Sequence, residues 1–205
     1  MTLARLVLAT SNAGKVRELR GLVAEWGPIE VLSLPQVLPL EMPEETGDTY
    51  LENALLKARA VVAVSGLPAL ADDSGIEVDA LGGKPGPRSA RFAGDTATDD
   101  ENLRAMIQAI AGVPAGGRSA RYRCVAAVAW PDGRAVHAEG TCEGSLIGKP
   151  RGAGGFGYDP IFVPVGWDET IAELSPEQKD RISHRGRAFR ALREVLESST
   201  EPIRP

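Results

Sequence analysis

Two aspartates in succession, directly after an apolar run, constrain this chain more than any other feature. Leu67, Ala69, Leu70 and Ala71, broken only by Pro68, lead into Asp72 and Asp73, and Ser74 and Gly75 follow. The run predicts a buried strand. Carboxylates at its end put charge at a strand tip, where a sheet opens to solvent. Two adjacent acids are costly to hold together unless a cation or a proton lies between them. The pair therefore suits a divalent metal site with a general base. It equally suits an Asx turn, in which an aspartate side chain accepts from its own backbone, and these four residues do not separate the two. The next loop has specified geometry: Gly82, Gly83, Pro85, Gly86 and Pro87 fall within six residues, and Arg88 and Arg91 flank its end. Carboxylates beside such a loop suit a polyanion bound through a metal, unless the arginines are simply solvated or paired with surface acids.

The 205 residues suffice for one large domain or two small ones, with a real core. A formal net charge of -5 argues against general affinity for nucleic acid, which needs a basic face. No apolar run approaches a membrane span, and residues 1–10 lack the pattern of a signal peptide. The cysteines, Cys124 and Cys142, make neither a disulfide framework nor a zinc site. A cytoplasmic, reduced protein is the expectation. No internal repeat or linker divides the chain, so residues 1–197 read as one domain and 198–205 as a flexible tail.

Residues 5–10 read as a buried strand. From Val16 a helical pattern follows, with Leu19, Leu22, Val23 and Trp26 on one face and Gly27-Pro28 as its stop. Thr10, Ser11, Asn12, Ala13, Gly14 and Lys15 then form a strand-to-helix turn. Backbone N–H groups at a helix N-terminus favour an anion, and Lys15 adds a point charge; a Ser or Asn N-cap beside an exposed lysine is the slightly better account of the segment alone, because caps are so frequent. The spacing is not that of a Walker A loop. Residues 29–34 suggest a short strand before a Pro-rich loop to Pro43. Thr49 and Glu52 form a capping box ahead of a helix that turns Leu51, Ala54, Leu55, Ala58, Val61 and Val62 inward. Lys57 falls off that stripe, as a solvated lysine would. Thr98 and Glu101 form a second box, so Asp99, Asp100 and Glu101 complement a helix terminus rather than serve catalysis.

Residues 120–130 and 135–143 predict a hairpin turned by Pro131-Asp132-Gly133, which would make Cys124 and Cys142 cross-strand neighbours. Beyond it, Gly152, Gly154, Gly155 and Gly157 crowd a loop carrying Phe156, Tyr158 and Asp159. Glycines let backbone approach a ligand, and an aromatic presented there can stack a base for roughly 1–3 kcal/mol; the alternative is a mobile loop whose aromatics tuck into the core. Ser175-Pro176 starts a short helix. His184 and Arg185 then place two donor-rich groups at the boundary of a last helix carrying Phe189, Leu192, Val195 and Leu196.

In this order, TSNAGK, PEETGDTYLENALLKA, ADDSGIEVDALGGKPGPRSARFAG, GGFGYDPIF and AELSPEQKDRISHRG resemble the inosine/xanthosine triphosphate pyrophosphatase family, from about residue 6 to residue 192. The resemblance implies an α/β fold: a long central mixed sheet flanked by helices, two lobes, a deep active-site cleft, and a homodimer. It implies an enzyme that hydrolyses ITP, dITP and XTP to the monophosphate and pyrophosphate. By position, Thr10 to Lys15 would hold the triphosphate with help from Lys57. Glu44 and Asp73 would ligate Mg²⁺, for which Mn²⁺ could substitute. Asp73 would also accept the proton, Asp72 would support metal and water, and Ser74 would touch substrate. Phe156, Gly157, Tyr158 and Asp159 would hold base and sugar, and Lys179, His184 and Arg185 would close over the purine. Pro87-Arg88 departs from the family pattern, where an apolar residue and a tyrosine are common. Two rivals stand beside this reading: a Maf-like nucleotide pyrophosphatase with another base preference, which is expected to lack the SHRG and GGFGYD pairing, and a nucleotide sensor that binds without turnover, which the intact Glu44, Asp72 and Asp73 argue against.

Overall fold

The structure is a computed structural model and describes residues 3–37 and 42–198. All but Ser198 of the expected tail, and part of the Pro-rich loop before Pro43, lie outside the described residues. The chain runs β1 (Arg5–Leu8), α1 (Ala13–Ala24), β2 (Glu30–Ser33), a single turn α2 (Leu34–Val37), α3 (Tyr50–Ser65), β3 (Ala69–Val78), α4 (Asp99–Ala109), β4 (Ser119–Ala129), β5 (Ala135–Leu146), β6 (Phe162–Pro164), α5 (Pro176–Ile182) and α6 (His184–Ser198). The strands form one sheet in the order β2-β1-β3-β4-β5-β6. It is mixed: β1 lies parallel to both β2 and β3, while β5 and β6 are antiparallel. The expected hairpin joins β4 to β5, with Trp130 N–H donating to the Arg134 carbonyl.

Strand β3 does not stop at the acids. It continues through Asp72 and Asp73 to Val78, so the pair sits mid-strand rather than at a tip. Successive strand residues project to opposite faces of a sheet. The core shows this alternation directly. Leu6, Leu8, Leu70, Cys124, Ala126 and Val128 pack with Leu19, Leu22 and Val23 of α1 and with Phe189 and Leu192 of α6. Val7, Ala9, Ala69, Ala71 and Ala129 pack instead with Ala58 and Val61 of α3. Asp72 follows the parity of Leu70, and Asp73 that of Ala69 and Ala71. The two carboxylates therefore avoid each other without a turn.

Contacts divide the chain into two compact units. The first comprises residues 1–73, 124–140 and 185–205; the second comprises 74–123 and 141–184. In the second unit Ile76, Val78, Ala120, Tyr122, Cys142 and Leu146 pack with Met106 of α4, with Ile110 just after it, and with Phe162 and Ile171. Gly75 is required there by close approach: a Cβ on it would lie 2.1 Å from the Gly86 carbonyl oxygen and 2.5 Å from Ser89 Oγ. Ser89 Oγ in turn accepts from Ile76 N–H at 2.8 Å and donates to the Gly86 carbonyl at 2.6 Å. This fastens the Gly/Pro loop, including Pro87 and Arg88, onto β3.

Helix termini follow their sequence signals. Thr49/Glu52 and Thr98/Glu101 form both halves of their capping boxes, and Ser175 caps α5 with Pro176 in the first turn. α1 differs at both ends. It starts at Ala13, three residues before the apolar pattern, because Asn12 caps it, and it ends at Ala24, before Gly27. Both cysteines are buried free thiols.

Candidate active site

The turn before α1 is organised by its own side chains. Thr10 Oγ1 accepts from Asn12 N–H at 3.2 Å, and Asn12 Oδ1 accepts from Lys15 N–H at 3.0 Å. The N-cap is thus Asn12, and it leaves Ser11, Asn12 and Gly14 exposed at a helix N-terminus. Such a terminus carries partial positive charge suited to an anion. Lys15 is half-buried beside it and reaches Asp72 Oδ2 at 3.4 Å.

Asp72 is almost wholly enclosed on its own face of β3. Oδ2 receives Arg185 Nε at 3.1 Å as well as Lys15, and Cys124 Sγ lies 4.0 Å away. Arg185, equally enclosed, is also paired through Nη1 with Glu18 Oε2 at 2.8 Å. Burial alone would raise the Asp72 pKa, but Lys15, Arg185 and Lys57 together outweigh it and hold the carboxyl well below the usual range. Its other oxygen, Oδ1, is buried with no hydrogen-bond partner.

On the opposite face, Asp73 Oδ1 meets Lys57 Nζ at 3.1 Å and Oδ2 accepts from Asn53 Nδ2 at 3.2 Å. Asn53 is oriented by accepting Gly47 N–H at 2.8 Å. Lys57 is not solvated, as its place off the apolar stripe suggests, but 7% exposed. It is stable there because acids surround it, including Glu45 at 2.6 Å, and they raise its pKa against the effect of burial. For Asp73 the balance goes the other way: burial, with Glu45 adding, outweighs Lys57 and raises its pKa. Ser74 follows on β3, half-buried.

The second unit gathers the aromatic loop around Asp159. Its Oδ1 accepts from the Tyr122 hydroxyl at 3.2 Å, and its Oδ2 accepts from Phe156 N–H at 3.0 Å and Lys179 Nζ at 2.8 Å. Phe156 remains exposed, with the Lys179 ammonium 4.8 Å from its ring centroid. Gly157 N–H donates to Asp99 Oδ2 at 3.2 Å, so Asp99 does more than complement its helix terminus. Tyr158 is buried and donates to the Ser89 carbonyl at 2.7 Å. His184 stacks on Tyr122, 4.6 Å between centroids at 10°. Adjacent in sequence, His184 and Arg185 thus face different partners.

Four residues beyond the sequence reading belong to these clusters: Glu18, Glu45, Asn53 and Tyr122. Asn53 carries a local signal, since it lies one turn before Lys57 on the same helix face. Glu45 is one residue from Glu44, and it is Glu45 that reaches Lys57, while Glu44 is exposed. Glu18 and Tyr122 carry no local signal. Among the described residues no three His, Cys, Asp or Glu side chains converge as a metal cage. Mg²⁺ needs no such cage, being held by one or two carboxylates with substrate phosphates and water. The carboxylate oxygens of Asp73 and of the exposed Glu44 are hard donors of the kind that cation takes.

Residues 6–195 match the sequence pattern of the Ham1 family. A dITP/XTP pyrophosphatase of Symbiobacterium thermophilum is 52% identical over 201 residues, 98% of this chain and 99% of that one. One from Methylococcus capsulatus is 48% identical over 202 residues, covering 96% and 98%. The solved structure of a HAM1 protein from Coxiella burnetii superimposes with a TM-score of 0.85 at 39% identity, covering 95% of this chain and 99% of that one. The α/β sheet, the ordered motifs and the full-length match together place this chain in the Ham1 family.

Proposed function

We propose that this chain hydrolyses the non-standard purine nucleoside triphosphates ITP, dITP and XTP to the monophosphate and pyrophosphate, and so clears them from the nucleotide pool. The observation that carries the reading is the acid pair on β3, each member buried and facing a lysine from a helix, Lys15 or Lys57. The relatives' name, dITP/XTP pyrophosphatase, supplies the substrate class.

In this reading Thr10, Ser11, Asn12, Ala13, Gly14 and Lys15 hold the triphosphate through the N-terminus of α1 and the lysine charge, with help from Lys57. Glu44 and Asp73 would hold Mg²⁺ or Mn²⁺, which when bound neutralises phosphate charge. Asp73 takes the proton of the attacking water. The water oxygen bonds to the α-phosphorus, the bond to the α–β bridging oxygen breaks, and pyrophosphate leaves. Burial suits Asp73 to this task, because a raised pKa brings a carboxylate nearer the operating pH of a general base. Asp72 stays ionised and supports the water, and Ser74 touches substrate.

Phe156, Gly157, Tyr158 and Asp159 hold base and sugar, with Lys179 and His184 as donors; Arg185, the third donor the resemblance implies, is paired with Asp72 and Glu18. Hypoxanthine and xanthine present an acceptor oxygen at C6, whereas adenine presents an amine. Donors fit the first and are left unpaired by the second, a mismatch worth about 10⁴-fold when buried. The same reading takes residues 1–197 as one pyrophosphatase domain, acting as a cytoplasmic homodimer with no part for nucleic acid or membrane. Pyrophosphate release over ITP, dITP, XTP, GTP and ATP, with and without Mg²⁺, tests it. Release is expected from the first three only with Mg²⁺; ATP turned over as fast as ITP contradicts the selectivity, and binding without release would make the chain a sensor.

A further inference from the structure

We propose that Tyr122 is a positioning residue for purine selection: its hydroxyl fixes the Asp159 carboxylate while its ring fixes the plane of His184. The inference rests on the reading that Asp159 and His184 meet the purine, and it adds a residue outside every motif that carries the family resemblance. The terminal torsions of Asp and His are broad and two-fold, so packing must select their orientation. Asp159 is held on both oxygens. Lys179 and Phe156 N–H hold Oδ2, and within the second unit Tyr122 is the described donor to Oδ1, at 3.2 Å. The imidazole of His184 lies flat on the same tyrosine ring, 4.6 Å away at 10°. Phe162 braces that ring with a tilted contact of 4.7 Å. Tyr122 itself is buried on β4, a rigid element on which a site can be held to sub-ångström precision. Burial, with Asp159 adding, holds the phenol pKa well above its ordinary value, so the hydroxyl keeps its proton and remains a donor. One side chain therefore sets both an acceptor and a donor ring. A carboxylate fixed in place favours a purine that offers a ring N–H over adenine, whose N1 is a bare acceptor.

The test is Tyr122→Phe, which keeps the ring and its stack and removes only the hydroxyl, alongside Tyr122→Leu, which removes both. Steady-state pyrophosphate release is followed with dITP, XTP and dATP. For Tyr122→Phe the dITP KM should rise about tenfold, the scale of one hydrogen bond to a charged group, and the dITP-over-dATP preference should fall with it. Its kcat should stay close to the parent's, while its melting temperature falls by a few degrees, because a buried hydrogen bond to a carboxylate is lost from the folded chain as well. Tyr122→Leu should lose more, because His184 is released as well. In an Asp159→Asn background Tyr122→Phe should add nothing, since its partner is already changed. An unaltered KM and preference in Tyr122→Phe, with Asp159→Asn clearly impaired, overturns the proposal, and so do additive effects in the double variant. If Asp159→Asn and His184→Ala both leave the purine preference unchanged, it is the underlying reading of the base site that falls.

Discussion

Asp72→Asn removes the one carboxylate charge that Lys15 and Arg185 share. The side chains of Asp72 and Arg185 are each 1% exposed, so the change removes one carboxylate charge from an enclosed guanidinium that keeps Glu18 at 2.8 Å. Breaking a buried ion pair on one side costs about 3–5 kcal/mol. The surviving Glu18 pair sets the expectation at the lower end, about 3 kcal/mol. With a urea m value of about 3 kcal/mol/M for a chain this size, the midpoint should fall by roughly 1 M. Tryptophan fluorescence is the natural assay, because Trp26 and Trp130 pack against the cluster that covers this face of the sheet. Asp72→Asn combined with Arg185→Met separates the charge effect from simple loss of packing. The double variant should be more stable than the sum of the singles, by a coupling of about 2 kcal/mol. A midpoint for Asp72→Asn within experimental error of the parent, or no coupling in the double variant, would show that the ion pair is not the enclosed, mutually dependent unit described above.

Asp73→Asn should keep the fold, with Asn53 still able to reach the new side chain, and lose about 10²–10⁴-fold in pyrophosphate release; undiminished turnover removes Asp73 from the mechanism. The two acids should also give opposite pH dependences of stability. Asp72 has a depressed folded pKa, so its contribution is complete above the unfolded value of 3.8 and is lost as pH falls below it. Asp73 has a raised folded pKa, so its contribution is complete below 3.8 and is lost as pH rises through the folded value. Urea midpoints from pH 3 to 7 should therefore change slope in opposite directions for the two Asn variants, and parallel curves would refute this. Gly75→Ala should destabilise by about 3 kcal/mol or more through overpacking, since the added carbon meets the Gly86 carbonyl at 2.1 Å; a melting temperature equal to the parent's would show that the loop yields freely.

What the sequence made legible was whatever is encoded locally. The capping boxes at Thr49 and Thr98 and the hairpin at residues 130–134 each depend on residues a few positions apart, and each appears as read. The gathering of Lys15, Lys57, Asp72 and Asp73 was legible only through the ordered motifs. Where local chemistry misled, a distant partner had reversed the balance. Asp-Asp-Ser-Gly has turn chemistry, yet β3 runs through it because the Asp72 charge is met by Arg185, 113 positions along the chain. Lys57 looks solvated from its helix position, yet it is enclosed because Asp73 lies 16 positions on and Glu45 lies 12 positions back. Tyr122 reads as an ordinary core aromatic, and only its hydroxyl partner, 37 positions later, marks it otherwise.

The backbone passes between the two compact units after residues 73, 123, 140 and 184, three times within a strand and once at the start of α6. Neither unit is therefore a continuous gene segment. A deletion series from either end would dismantle the first unit before it reached the second, and a shuffled half-gene would carry fragments of each. Dissecting this enzyme calls for point changes or circular permutation, because no continuous stretch of the reading frame coincides with either unit.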